Sequence, residues 1–173
     1  IPISKPKKSK KLDTQKYEDN EESYQNSSPK KNRKKSPKSA KINEKEKSIV
    51  RNSETKIRPR NPDYGEEAKE NAQYMCEISN SHKTFKRKSD NNNFVEAHHL
   101  IPYEQYDLYA DIGLCIDRAI NIVALCPNCH RRIHHGTDDE VEGMLKKLYI
   151  TRGKGLYESY ICDLEELKRF YKL

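Results

Sequence analysis

The stretch CPNCHRRIHHG, residues 126–136, limits what this chain can become more than any other. A C-x2-C pair, Cys126 and Cys129, places two thiolates within reach of one cation. Histidines four apart, His130 and His134, share one face of a helix. Pro127 suits the start of such a helix and Gly136 its end. The fold must therefore present two metal-binding patterns within one short helix and find partners for both.

Composition agrees with a metal-stapled fold. Of 173 residues, 33% are apolar and 35% charged, a thin supply for a core. The five cysteines are too few and too irregular for a secreted disulfide framework. No apolar run approaches transmembrane length and no signal peptide is visible, so a cytoplasmic location with no membrane partner is expected. Ile at position 1 raises the expectation of a longer protein with a further N-terminal domain. Oligomeric state is not legible.

The net charge of +7 is unevenly placed. Residues 1–60 hold 19 Lys/Arg and 8 Asp/Glu, whereas residues 61–173 hold 15 and 19. The N-terminal part is rich in Lys, Ser and Pro, as in IPISKPKKSKKLD and SSPKKNRKKSPKSAK, and reads as disordered, whereas KINEKEKSIVRNSETKIRPR is ambiguous and could fold against a partner. It serves as a nucleic-acid arm or as a solvated linker. The boundary falls near RPRNPDYG, leaving 1–60 as a basic low-complexity segment and 61–173 as the folded domain.

Within that domain the reading is α+β. Asp63 and Glu66 mark a helix start, with the helix ending near Cys76. NNNFVEAHHLI and INIVALC read as strands. PNCHRRIHHG follows as a helix, with further helices at 138–150 and 163–173. The order is strand, loop, strand, helix, with flanking helices.

Cys126 and Cys129 need two more ligands. MCEIS resembles half of a second knuckle, with Cys76 in place and Ser79 where a cysteine would stand. His82 is the nearest soft replacement. The proposed set for one structural Zn2+ is Cys76, His82, Cys126 and Cys129; the alternative leaves His82 a surface residue. Cys115 competes for the fourth place, although it and Cys162 fit small buried hydrophobes. His98 and His99 are adjacent on a strand and point to opposite faces. One joins His130 and His134 on a second cation while the other takes a proton from water. Glu96 shares a face with His98 and either supports a ligand or faces solvent. Lys83, Lys86, Arg87 and Lys88, with Arg131 and Arg132, are phosphate contacts or solvated charges. His135 reads as exposed.

EAHHLIP…NIVALCPNCHRRIHHG closely resembles the HNH endonucleases, in particular a zinc-knuckle branch that includes methylation-dependent restriction enzymes. The resemblance covers roughly residues 58–173, with the strong motif between 76 and 136. It implies a ββα-metal core with a zinc knuckle. It implies that His98, His130 and His134 hold one catalytic divalent metal (Ni2+, Co2+, Mn2+, Mg2+ or Zn2+). It makes His99 the general base and Asn121 a brace for the loop between the strands. SHKTF is similar to a segment of members lacking the second knuckle cysteine, which supports His82. The implied activity is hydrolysis of DNA phosphodiester bonds, leaving a 3′-hydroxyl and a 5′-phosphate, in restriction or phage defence. Two alternatives stand beside it: a non-catalytic zinc module that binds nucleic acid or a protein, and a bacteriocin-type DNase toxin. The knuckle argues against the toxin, and a free base at His99 against the module.

Overall fold

The computed structural model describes residues 32–42 and 60–173. Helix α1 (Pro62–Asn71) is capped by Asn61, whose side chain accepts from the Asp63 amide, and Pro62 occupies the first turn, where a missing N–H costs nothing. The cap therefore falls two residues before Asp63, the position expected from sequence, and the helix ends before Cys76 is reached.

Strand β1 (Glu96–His99) pairs antiparallel with β2 (Ile122–Leu125), setting His98 opposite Val123 and His99 opposite Ile122. Side-chain alternation gives this small sheet two faces. Ala97 and Ile122 cluster with Tyr64 and Ala68 of α1, and His99 shares their face. Val123 and Leu125 enter the main core, and Glu96 and His98 share that side. The connection between the strands carries a 3-10 turn (Tyr103–Gln105), a short helix α2 (Tyr106–Asp111) that sequence reading missed, and a second 3-10 turn (Ala119–Asn121).

After β2 come α3 (Pro127–His135), α4 (Asp138–Tyr160) and α5 (Leu164–Phe170). Thr137 and Glu140 form a capping box on α4, and the Asp163 side chain accepts from the Glu166 amide to open α5. Helix α4 runs past the expected end near residue 150. Gly155 of this helix is a packing position: a Cβ there would meet Ile120 Cδ1 at 2.6 Å. The main core joins Leu145, Leu148 and Leu156 of α4 to Leu167 of α5 and to Leu100, Ile101 and Ile116 of the inter-strand loop.

The expectation of disorder covers residues 1–60; of these, residues 32–42 pack against the domain. Ala40 and Ile42 are buried in the main core. The Cys115 amide donates to Ala40 O at 2.6 Å and the Ile42 amide to Gly113 O at 2.8 Å. The buried Arg118 guanidinium holds the Ser39 and Lys41 carbonyls. Two apolar side chains and a few strand-like hydrogen bonds are enough to seat a segment that is otherwise basic. Residues 1–31 and 43–59, the remainder of that expectation, lie outside the described residues. Among the described residues, no helix is long and apolar enough to cross a membrane.

Candidate metal centres

Cys126 stands at the junction of β2 and α3. It is the N-cap of α3, and its Sγ accepts from the Cys129 amide at 3.4 Å. The C-x2-C spacing thus folds both sulfurs against one helix end. The segment after α1 turns back through Gln73 and Tyr74, both at positive φ. This brings Cys76 and His82 to the same place, and the ligand atoms of Cys76, His82, Cys126 and Cys129 lie within 4.8 Å of one another.

The geometry of this cluster suits zinc. His82 Nδ1 lies 3.6 Å from Cys126 Sγ and 3.4 Å from Cys129 Sγ. A tetrahedron with Zn–S of about 2.3 Å and Zn–N of about 2.0 Å has an S···N edge of about 3.5 Å. Burial, then the neighbouring Cys126 and Cys76 thiols, push the Cys129 thiol well above its ordinary value. Such crowding opposes thiolates unless a cation offsets it. Cys115 and Cys162 are buried outside the cluster; Cys115 Sγ meets the Arg118 guanidinium at 3.1 Å.

The second cluster forms between β1 and α3. His130 and His134 share one face of α3, and His98 projects from the strand toward them. Ring centroids are 5.1 Å apart for His98–His130, 4.8 Å for His98–His134 and 5.0 Å for His130–His134. Their ligand nitrogens also lie within 4.8 Å of one another. His98 and His130 are buried and His134 is exposed, so the triad opens to solvent on one side. Burial, then the two neighbouring imidazoles, hold the His98 pKa well below the ordinary histidine range. A neutral imidazole is the form that ligates metal.

Both buried histidines of the triad make side-chain contacts. His130 Nδ1 lies 2.8 Å from Glu96 Oε2, so the Glu96 carboxylate faces the histidine triad. The carboxylate accepts the Nδ1 proton, so the lone pair sits on Nε2. His130 Nε2 is buried and has no hydrogen-bond partner among the described residues. A buried lone pair aimed into a ring of histidines fits a metal ligand. On the other side, His98 Nε2 lies 2.8 Å from the Tyr171 hydroxyl, which also reaches Leu100 O at 3.1 Å.

His99, on the opposite face, is buried, and its Nε2 lies 2.9 Å from Asp117 Oδ1. Asp117 Oδ2 accepts from the Asn61 amide at 2.6 Å, so the carboxylate is fixed from two sides. Asn121 is fully buried. Its Oδ1 accepts from the Ile101 amide, and its Nδ2 donates to Ile101 O and Ile116 O, clamping the long inter-strand loop. Lys83, Lys86 and Lys88 are exposed, as are Arg131, Arg132 and His135. Arg87 departs from its grouping with those lysines. Its guanidinium is committed to Glu66 and Asp90 and ties the 85–94 turn to α1.

Sequence reasoning missed Asp117 and Tyr171. Asp117 lies in a loop with no periodicity. Tyr171 sits at the C-terminal end of α5 with no motif around it.

Two Cys/His clusters, one of four residues and rich in sulfur, the other of three imidazoles, on a strand–strand–helix unit define a ββα-metal module with a knuckle. Residues 76–137 match the HNH endonuclease family model. Over 62 residues, 36% of the chain, the protein is 34% identical to the type IV methyl-directed restriction enzyme EcoKMcrA of Escherichia coli (strain K12). The match spans 19% of that enzyme's length. All seven clustered Cys and His residues fall inside residues 76–137, whereas Tyr171 lies outside.

Proposed function

We propose that this protein is a metal-dependent DNA endonuclease acting in restriction or defence. The observation that carries the reading is the presence of two separate ligand sets on one small core. A structural module needs the sulfur set alone; an open, solvent-facing histidine triad beside it has the form of a reaction centre. The first substrate to try is methylated DNA, because EcoKMcrA is named as methyl-directed.

In this mechanism Cys76, His82, Cys126 and Cys129 hold the structural zinc. His98, His130 and His134 hold the catalytic divalent cation. A cation held by these three histidines would supply Lewis-acid stabilisation of charge on the phosphate and the leaving oxygen. His99 takes the proton from the attacking water. The Asp117 carboxylate accepts the His99 Nε2 proton, which fixes the ring and places the accepting lone pair on Nδ1. Asn121 keeps the inter-strand loop in register with both histidines. Lys83, Lys86 and Lys88, with Arg131 and Arg132, offer backbone contacts to DNA, and their affinity contribution falls with salt.

One observation favours a second reading, a non-catalytic zinc module that binds nucleic acid. His99 is only 4% exposed, so access by water requires movement of its cover. The deciding experiment is incubation of methylated and unmethylated plasmid with the protein and its His99→Ala and His98→Ala variants across several divalent metals. Metal-dependent nicking lost in both variants supports the nuclease. DNA binding without cleavage under every metal supports the module.

A further inference from the structure

Tyr171 lies 73 positions from His98 in sequence and outside the matched family segment, yet its hydroxyl meets His98 Nε2 at 2.8 Å. The same oxygen lies 3.1 Å from Leu100 O. A carbonyl only accepts, and a phenol has one proton to give. With that proton directed to Leu100 O, the phenol oxygen is left to accept from His98, whose Nε2 would then carry the hydrogen.

We propose that Tyr171 is a positioning residue for the histidine triad: it fixes His98 in the Nε2–H tautomer and so presents Nδ1 to the metal. The inference rests on the metal reading above and deepens it. His130 is fixed the opposite way, through Nδ1–H to Glu96, leaving Nε2 to the cation. Two ligands from different elements thus have their lone pairs set by two different partners. Leu100 follows β1 directly, so the anchor of the phenol and the ligand it orients belong to one stretch of backbone. Helix α5, packed in the core through Leu167, delivers the hydroxyl. The C-terminal residues therefore complete a site whose ligands all lie within residues 98–134.

The test uses the full chain with its knuckle zinc retained. Long-range 1H–15N correlation spectra read the His98 tautomer directly, with His98→Gln as the assignment control. Calorimetry with Co2+ reads affinity for wild type and Tyr171→Phe, and zinc content and thermal melting report whether the fold is kept. The expected result is Nε2–H in wild type, mixed tautomers in Tyr171→Phe, and Co2+ binding weaker by about 10-fold or more, the usual cost of losing a contact that orients a ligand. An Nδ1–H tautomer in wild type overturns the proposal, as does unchanged Co2+ affinity in a folded Tyr171→Phe. Absence of any Co2+ binding by zinc-loaded wild type overturns the metal reading itself, and this inference with it. Should Tyr171→Phe fail to fold, the wild-type tautomer alone decides.

Discussion

Glu96 Oε2 and His130 Nδ1 meet at 2.8 Å across the junction of strand β1 and helix α3. The contact determines which nitrogen of His130 faces the triad. Glu96→Gln keeps the shape but presents an amide that can turn its NH2 toward the ring and favour the wrong tautomer. The expected outcome is metal affinity lowered by about 10- to 100-fold with the zinc content unchanged. Titration calorimetry on the zinc-loaded variant checks it, and wild-type affinity would show that Glu96 does not set the tautomer.

His99→Ala removes the proposed base while leaving both clusters whole. Cleavage should fall by about 10²- to 10⁴-fold, with metal content and DNA affinity close to wild type. Asp117→Asn should slow cleavage in the same sense, because one side-chain oxygen cannot serve both His99 and the Asn61 amide. Single-turnover plasmid nicking at saturating metal is the measurement. Wild-type rates in a pure His99→Ala preparation would remove His99 from the mechanism.

Cys129→Ser takes one sulfur from the knuckle and leaves the cap of α3 without its zinc anchor. Structural zinc contributes directly to folding in small domains. The variant should lose bound zinc and its cooperative melt. A native-like melt with one tightly held zinc would show that Cys129 is not a ligand.

Glu66 lies buried among Lys69, Arg87 and Tyr74. Burial raises its pKa, but the hydrogen bonds and charges of Arg87 and Lys69 prevail and hold it below the ordinary glutamate value. A carboxylate depressed in this way adds stability that is present above the unfolded pKa, about 4.5, and fades as pH falls through the lower folded value. Glu66→Gln leaves the buried Lys69 ammonium without its anion, a loss of about 3 kcal/mol at neutral pH. Denaturant melts at pH 7 and between pH 4 and 3 should show the gap from wild type narrowing with acid. A gap that does not change with pH would mean the carboxylate is not what matters.

Three neutral imidazoles give the triad no oxygen and no negative charge of their own. Mg2+ is hard and dehydrates reluctantly, whereas imidazole suits Ni2+, Co2+ and Zn2+ better, with Mn2+ weaker. Nicking is expected with Ni2+, Co2+ or Mn2+ at concentrations where Mg2+ gives little. A metal titration after chelation mild enough to spare the knuckle would check this. Activity with Mg2+ and none with transition metals would mean that an oxygen ligand dominates the site.

Much of the site was legible because short spacings carry geometry. Cys126 and Cys129 fall on one helix end, and His130 and His134 on one helix face, because 3.6 residues make a turn. His98 and His99 diverge because strand side chains alternate. Capping residues gave the start of α5 at Asp163 and suggested α3 from Pro127 to Gly136. These are consequences of local covalent geometry, and the sequence by itself determined them.

What the tertiary structure decided lies at long range. No local pattern pairs His99 with Asp117, or His98 with a tyrosine at the far end of the chain. Parity placed Glu96 on the face of His98 but could not say that His130 would be its partner. Arg87 looked like its neighbouring lysines until the path of α1 put Glu66 beside it. No local pattern marked Ala40 and Ile42 as core residues; they are seated by backbone hydrogen bonds to residues 113 and 115. Each of these contacts depends on where separate elements come to rest. Their positions follow from the packing of the whole core, a sum of many weak terms that no short window of sequence contains.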